Sequence, residues 1–151
     1  MTRLVRVQAD APDVALLLGR HFDLMRSQSP PESCHVLPAA SLNAPDVVLF
    51  ALRDNACAVA IGALKITGDQ AELKSMHTAQ EARARGLARV LLRGLVDYAR
   101  SAEFTRLNLE TGSGTEHAPA RKLYASEGFT ECPPFGDYAA DPLSLFMTRA
   151  I

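Results

Sequence analysis

Two tight turns, at Asp54-Asn55 and Gly68-Asp69, are the features that most constrain the fold of this chain. They separate three segments of high β propensity, at Val47 to Arg53, Ala56 to Thr67 and Gln70 to Thr78. Because turns this short join only antiparallel neighbours, the three segments are predicted to form an antiparallel meander. After the third segment the apolar spacing changes from two residues to three and four, which predicts a helix.

Strands and helices are predicted to alternate on both sides of this meander. A strand is expected at Thr2 to Val7, then a helix that Asp10 caps and that ends near Arg26, before Ser29-Pro30-Pro31. Its apolar positions are Val14, Leu17, Leu18 and Phe22. A helical turn is expected at Ala39 to Leu42, followed after the meander by a helix from Gly86 that buries Leu87, Leu91, Leu95 and Tyr98. The last three elements are a strand at Leu107 to Thr111, a helix at Thr115 to Glu127 that Gly128 ends, and a strand at Leu143 to Thr148. The order predicts one α/β (α+β) domain over residues 1–151, with helices on both faces of the sheet.

The composition excludes several classes of protein. The chain has 151 residues, 48% of them hydrophobic and 22% charged, which is typical of a globular domain and not of a disordered chain. Its net charge of −1 disfavours nucleic acid as a partner. Cys34, Cys57 and Cys132 match no zinc spacing, so no metal is expected. Since neither a signal peptide nor a membrane-spanning run is visible, a soluble, cytoplasmic protein without a membrane partner is expected.

The segment between the third strand and the following helix carries the first functional signal. It reads Arg83-Ala84-Arg85-Gly86-Leu87-Ala88. The first amide groups of a helix have no partner inside the helix and carry partial positive charge, so they can bind a phosphate where small residues let it approach. A strand, a small-residue turn and a helix also occur in most α/β proteins. From this segment alone, two interpretations remain: an ordinary helix start without a ligand, and a binding site for a nucleotide or phosphate.

Two spaced motifs make the signal specific. Arg83, Gly86 and Ala88 match an Arg/Gln-x-x-Gly-x-Gly/Ala motif directly after a strand. About 35 residues on, a helix ends in Ala-x-x-Leu-Tyr-x-x-x-Gly-Phe, met by Ala120, Leu123, Tyr124, Gly128 and Phe129. In these motifs and their order the sequence resembles the GNAT superfamily of acyl-coenzyme A-dependent N-acetyltransferases. The resemblance implies a GNAT-like mixed, mostly antiparallel central sheet with helices on both faces.

The resemblance also implies a site for acetyl-CoA, used as a co-substrate. In the superfamily this ligand lies between strands four and five, which splay apart. The backbone of Met76 and Thr78 would then pair with its pantetheine arm, and an amide near Met76 would polarise the thioester carbonyl. His117 stands where many members have an asparagine that contacts the pantetheine. The residues expected at the cofactor are Met76, Thr78, Arg83, Ala84, Arg85, Gly86, Leu87, Ala88, Arg89 and His117.

Two catalytic residues are expected from the resemblance. Tyr124 would protonate the departing thiolate as general acid. Glu72 lies on the fourth strand, where protein-acetylating members carry a catalytic glutamate, and would serve as general base; Glu110 and a water molecule are the alternatives. Strand alternation predicts that Glu72 shares a face with Lys74, Met76 and Thr78, opposite Leu73, Ser75 and His77.

The acceptor is expected to be a primary amine of a small molecule, bound by two irregular segments. Met25 to Ser33 and the Phe135 to Tyr138 tail resemble one bacterial branch of the superfamily that indicates no particular acceptor. The charge types in these segments suit a carboxylate or an ammonium group. The candidates for acceptor binding are Arg26, Glu32, His35, Asp137 and Tyr138.

Two questions stay open at this level. A non-catalytic acyl-CoA sensor or partner-binding module is the alternative to an enzyme, although a pure binder has no use for a general acid. The apolar tail Leu143 to Met147 would either pair across a homodimer interface or form an internal strand.

Overall fold

A computed structural model describes the whole chain, residues 1–151. Seven strands and three α-helices follow one another with short 3₁₀ turns at Pro31–Ser33, Ala39–Asn43, Gln80–Ala82 and Thr115–His117. In chain order the elements are β1 (Thr2–Arg6), α1 (Pro12–Gln28), β2 (Val47–Asp54), β3 (Cys57–Thr67), β4 (Gln70–Thr78), α2 (Leu87–Ser101), β5 (Arg106–Gly112), α3 (Ala118–Ser126), β6 (Thr130–Glu131) and β7 (Ser144–Ala150). This is the predicted order of elements with one addition, the two-residue strand β6.

The strands form one mixed sheet in the order β1-β2-β3-β4-β5-β7-β6, in which only β4 and β5 are parallel. The predicted antiparallel meander is confirmed, because β2, β3 and β4 pair in sequence across the two tight turns. Helix α1 contacts one face of β4 through His21 and His77. On the other face, Leu91 and Leu95 of α2 lie beside Gly62. The expected fold class, a mostly antiparallel sheet with helices on both faces, is therefore confirmed.

The hydrophobic core holds both layers of helices to the sheet. Helix α2 contributes Leu91, Leu92 and Leu95, which are fully buried and recur at helical spacing. Helix α1 buries Val14, Leu17, Leu18 and His21. The prediction placed Phe22 on this buried stripe, but the structure places His21 there and leaves Phe22 half-buried, with the Arg26 guanidinium 5.5 Å from the centre of its ring.

Strands β4 and β5 separate along their length. Their parallel pairing runs from Gln70 opposite Arg106 to Leu73 opposite Leu109 and stops there. The last five residues of β4, from Lys74 to Thr78, therefore have no strand neighbour on the β5 side. The amide of Ala79 donates to the Val59 carbonyl at 2.8 Å. Since neighbouring residues of a strand direct their main-chain groups to opposite sides, the amide and carbonyl of Thr78 face the gap.

A β-bulge at Ser75 changes which side chains share a face of β4. Ser75 has a left-handed backbone, with φ 56°, and the pairing with β3 shifts register there. Glu72, Lys74 and His77 pair with Lys65, Ala63 and Ile61, which are alternate residues of β3 and share one face. His77 therefore lies on the α1 face together with Glu72 and Lys74, while Met76 reaches the α2 face near Gly62. The predicted alternation was wrong beyond Ser75, because an inserted residue inverts the face of those that follow.

Other differences from the sequence prediction lie at element ends. Helix α1 begins after Ala11, which caps it without a side-chain bond, so Asp10 is not its cap. Asp13 instead accepts the amide of Ala58 at 3.0 Å and pairs with Arg53, which fixes the helix to the sheet. Gly128 does end the segment of α3, with a left-handed φ of 93°.

The apolar tail forms an internal strand of the sheet. Strand β7 pairs with β5 along its whole length and with β6 on its other side. Of the two uses open for this tail, the structure shows the internal strand. No helix combines the length and the apolar character that crossing a membrane requires.

Gly62 and Gly19 allow a matched test of the packing between sheet and helix. A Cβ at Gly62 would lie 3.1 Å from Leu95 Cδ1 and 3.3 Å from Leu91 Cδ2, whereas nothing lies within 4 Å of a Cβ at Gly19, which is exposed in α1. Gly62→Ala should lower the free energy of unfolding by about 1–3 kcal/mol through overpacking. Gly19→Ala should raise it by up to about 1 kcal/mol through helix propensity. Urea denaturation measures both, and a neutral Gly62→Ala would contradict the described contact.

Candidate active site

A cavity of about 610 Å³ opens where β4 and β5 separate. It extends from the loop before α2, past the free edge of β4, to the irregular segment after α1. Clefts of this size are typical of small-molecule and cofactor sites. The lining residues divide the cavity into two parts. One part lies beside helices α2 and α3, and the other lies on the α1 face of the sheet.

The loop before α2 forms one end of the cavity. Ala84 and Gly86 both have left-handed backbones, with φ 65° and 72°, and they bring the main chain to the cavity wall. Helix α2 has no side-chain cap, so its first amide groups stay available. Of the residues expected here, Arg83, Ala84, Gly86, Leu87 and Ala88 line the cavity. This end offers the helix-terminal amides and positive charge that an anion requires.

Two of the predicted cofactor residues lie away from the cavity. Arg85 forms a surface ion pair with Asp54, at 2.8 Å, and is half exposed. Arg89 pairs with Glu127 and donates to the Ser126 hydroxyl at 2.9 Å, which ties α2 to the end of α3. Both guanidinium groups are thus engaged by protein partners, and neither lines the cavity.

Met76, Thr78 and His117 all line the cavity around the gap between the strands, and their contact with a cofactor stays a prediction. Met76 and Thr78 line the cavity from the free edge of β4. His117 lines it from the turn before α3, packed directly over Gly112 at the end of β5. A Cβ on Gly112 would lie 2.0 Å from His117 Cδ2, so only glycine leaves room for this imidazole.

Tyr124 enters the cavity from α3. Its side chain is buried and its hydroxyl lies 3.8 Å from the sulfur of Met76, on the free segment of β4. Burial raises the pKa of this phenol to about 12, and the negative charge of Glu110 adds to the effect. The group is therefore a neutral hydroxyl at pH 7, able to donate a proton or a hydrogen bond into the gap.

Glu110 faces the gap from β5, opposite the free edge of β4. Glu72 pairs with Asn108 across the two strands, so Glu110, two residues further along, lies on the same sheet face as Glu72. Its side chain lines the cavity. Burial raises the pKa of this carboxyl above its usual value, while the nearby Ser144 hydroxyl and the charges of His35 and Lys74 act against that rise. A carboxylate with a raised pKa is a better proton acceptor than an exposed one.

Glu72 is held in a polar cluster beside the cavity. Tyr138 donates a 2.6 Å hydrogen bond to Glu72 Oε2, and Lys74 Nζ lies 3.4 Å from the same oxygen. Lys74 also donates to the Tyr138 hydroxyl at 2.9 Å and to the His35 carbonyl at 3.1 Å. Burial and the Glu72 carboxylate raise the pKa of Tyr138 above its usual value. The cluster joins the segment after α1 and the segment before β7 to β4, and Glu72 itself does not line the cavity.

The other residues expected to bind the acceptor are mostly turned away. His35 lines the cavity, but Arg26, Glu32 and Asp137 do not. Arg26 lies over the Phe22 ring, and Glu32 and Asp137 are exposed. A 2.5 Å hydrogen bond from the Ser33 hydroxyl to Asp141 provides a further link between the two segments.

A buried pair of histidines in the cavity wall is the main feature that sequence reasoning missed. His21 Nδ1 and His77 Nδ1 lie 3.3 Å apart and both rings line the cavity. Burial lowers the pKa of each imidazole to about 4, aided by Lys74 at His21 and by Arg83 and Arg20 at His77. His21 could have been found from its place at the end of the Val14, Leu17, Leu18 stripe. The position of His77 depends on the bulge, which has no clear sequence signal.

The family follows from comparison with known proteins. The model of the acetyltransferase (GNAT) family matches residues 18–129. The uncharacterized N-acetyltransferase YsnE of Bacillus subtilis is 38% identical over 139 residues, covering 91% of this chain and 92% of the relative. An IAA acetyltransferase of Azospirillum brasilense is 38% identical over 124 residues, covering 81% of this chain and 80% of the relative.

A solved structure shows the same fold. The PaiA N-acetyltransferase of Thermoplasma acidophilum, in complex with coenzyme A, superposes with a TM-score of 0.75 at 12% identity, covering 100% of this chain and 99% of that one. The chain belongs to the acetyltransferase (GNAT) family and is an acetyltransferase.

The histidine pair makes the stability of the protein depend on pH. Each imidazole has a pKa of about 4 when folded and returns to about 6.5 when unfolded. Between these values the unfolded chain binds more protons, so the free energy of unfolding should fall as the pH drops below about 6.5. For each histidine, the free energy of unfolding can fall by at most about 1.4 kcal/mol per pH unit.

Urea denaturation at pH 7, 6 and 5 measures this slope. The slope should be smaller in a His21→Phe variant, which lacks one of the two titrating rings. A free energy of unfolding that stays constant from pH 7 to pH 5 would show that the rings are not a neutral buried pair.

Proposed function

We propose that the protein transfers an acetyl group from acetyl-CoA to the primary amine of a small molecule, by direct attack in a ternary complex. The observation that carries the proposal is the gap between β4 and β5, into which Tyr124 and Glu110 both project. One group is a neutral proton donor and the other a carboxylate with a raised pKa. Acid and base on two sides of one gap suit the transfer of an acyl group between a sulfur and a nitrogen.

The cofactor would lie along the free edge of β4. The pyrophosphate suits the loop before α2, where Arg83 and the uncapped amides of Leu87 and Ala88 face the cavity. The pantetheine would then accept and donate main-chain hydrogen bonds at Thr78, and His117 would contact it from the opposite wall. Arg85 and Arg89 would reach phosphates only by exchanging their present carboxylate partners.

Glu110 is the general base that the geometry favours. An amine is largely protonated at neutral pH and must lose a proton to attack the thioester carbon. Glu110 lines the cavity, whereas Glu72 lies outside it and is engaged by Tyr138 and Lys74. The proton leaves the nitrogen for Glu110, directly or through a water molecule.

Tyr124 serves as the acid at the other end of the same step. As the amine nitrogen bonds to the carbonyl carbon, the carbon–sulfur bond breaks and the sulfur gains the electron pair. The Tyr124 hydroxyl, close to the Met76 sulfur on β4, would protonate that thiolate. After the attack the nitrogen gives its remaining extra proton to the Tyr124 phenolate, and Glu110 releases its proton to solvent. The products are then the N-acetylated amine and free coenzyme A, with both side chains restored.

A small molecule is the proposed acceptor class. The Azospirillum brasilense relative is named as an IAA acetyltransferase, which favours a small-molecule acceptor over a protein. The polar cluster of Glu72, Lys74 and Tyr138 draws two irregular segments over the acceptor side of the cavity. Glu72 would then support acceptor binding by holding this wall in place.

Matched glutamate variants test the assignment of the base. Glu110→Gln should lower kcat/KM by about 10²–10⁴-fold and remove an acidic limb of the pH profile, because proton removal by a positioned base has that magnitude. That limb should lie above pH 4.5, since burial raises the pKa of Glu110. Glu72→Gln keeps an acceptor for Tyr138 and should mainly raise the KM for the amine. Thiol release over a panel of primary amines measures both.

Two results would change the proposal. A larger loss of kcat in Glu72→Gln than in Glu110→Gln would return the role of base to Glu72. Acetyl-CoA binding without transfer to any amine of a broad panel would favour the acyl-CoA sensor.

A further inference from the structure

The part of the cavity on the α1 face has features that the acetyl transfer does not use. We call this part the acceptor pocket; its wall is formed by His21, Leu24, Met25, Gln28, Ser75 and His77. Helix α1 supplies the first four and β4 the last two, so the pocket lies between a helix and the bulged strand. The hydrogen-bond donors and acceptors of this wall indicate which functional groups an acceptor should carry.

Two polar atoms of the acceptor pocket are buried without a partner. Gln28 Oε1 and Ser75 Oγ have no hydrogen bond, and both residues line the cavity. An unpaired buried polar atom costs about 1–3 kcal/mol, so such atoms are rarely left without a purpose. The amide oxygen of Gln28 accepts hydrogen bonds, so the missing partner should carry O–H or N–H groups.

The histidine pair adds one donor and one acceptor. In a bond between the two Nδ1 atoms, one ring carries the hydrogen and the other accepts it. The first ring then has an unprotonated Nε2 and the second an Nε2–H group. Neither Nε2 has a protein partner, although both rings line the cavity. A hydroxyl group, which donates and accepts at once, is complementary to this arrangement.

The charges around the acceptor pocket do not favour an acceptor with a second charged group. Lys74 Nζ already contacts Glu72, Tyr138 and the His35 carbonyl. Glu110 is the proposed base, and the histidine pair is neutral at pH 7. Arg83 is the unpaired cation that lines the cavity, and the proposed pyrophosphate takes it. With Lys74 also engaged, a carboxylate on the acceptor would find no remaining free cation and would bring no donor to Gln28. A second ammonium group would find no free carboxylate.

We propose that the acceptor is a small amine bearing hydroxyl groups, an amino alcohol, which the His21–His77 pair and Gln28 recognise through its hydroxyls. The inference rests on the proposed transfer to an amine and specifies the acceptor class. The hydroxyls would bond to the Nε2 atoms of the two imidazoles, while Leu24 and Met25 contact the carbon frame. Gln28 Oε1 and Ser75 Oγ, which are covered in this structure, would gain their hydrogen bonds when the side chains rotate toward the bound hydroxyls. A site built to bond a hydroxyl discriminates strongly against the analogue that lacks it, because its own polar atoms then stay unpaired.

Serinol and isopropylamine provide the test, since they differ only in two hydroxyl groups. The wild type should acetylate serinol with a kcat/KM on the order of 10²-fold or more above that for isopropylamine. In Gln28→Leu this ratio should fall at least about tenfold, because a near-isosteric apolar side chain removes one hydrogen-bonding group. His21→Phe should have the same effect. The intrinsic difference in amine basicity cancels when the ratios are compared between variants.

Asp23→Asn is the control, because Asp23 is exposed on the same helix and makes no ion pair. Its ratio should equal that of the wild type. NMR of the ring nitrogens gives a second measurement: the two histidines should show opposite tautomers, and serinol, but not isopropylamine, should shift their Nε2 signals.

Equal kcat/KM for the two amines in the wild type would overturn the inference, as would transfer to neither while acetyl-CoA binds. An unchanged ratio in both Gln28→Leu and His21→Phe would overturn the assigned residues. A failure of acetyl-CoA to bind would instead reject the proposed function, so the two failures can be told apart.

Discussion

Beyond Leu73, the fourth strand has no neighbour on its β5 side, and main-chain groups that a continuous sheet would pair stay free along Lys74 to Thr78. Buried amides and carbonyls almost always find partners, so an open segment between two layers of helices requires either solvent or a ligand. The pairing ends where a parallel strand meets an antiparallel meander. The Ser75 bulge lies in this free segment and orients Met76 toward α2 and His77 toward α1. One irregularity thus gives the cavity two different walls, with Met76 on the α2 face and His77 on the α1 face.

The wall of the cavity on the α1 side is held by polar contacts more than by regular structure. The segments on either side of the cavity are joined to β4 by Lys74, Glu72 and Tyr138, and to each other by Ser33 and Asp141. A buried charge that loses its partner is strongly destabilising, so these contacts hold the irregular chain in one arrangement. In the proposed reaction, rigid placement of this wall would let an amine meet the thioester in a productive orientation.

The order of elements and the place of the Arg83 to Ala88 loop before α2 could be predicted from the sequence, because tight turns, helical spacing and this motif are local signals. The faces of β4 could not, since a bulge inverts them without a local signature at Ser75. Tyr124 was singled out through a motif and lines the cavity, while its role as general acid stays a prediction. The engagement of Glu72 by Tyr138 joins residues 66 positions apart, and no sequence pattern predicts that bond. The same holds for His21 and His77, which are 56 positions apart.

In the proposed function, the separated strands hold acetyl-CoA and Tyr124 acts only on the departing sulfur. Calorimetric titration of the wild type and Tyr124→Phe with acetyl-CoA, and with ATP as a comparison ligand, tests it most directly when thiol release is measured on the same samples. We expect both proteins to bind acetyl-CoA with dissociation constants within about threefold and to bind ATP far more weakly, while turnover falls at least about 10²-fold in the variant. Equal binding of ATP, or a variant that turns over as fast as the wild type, would contradict it.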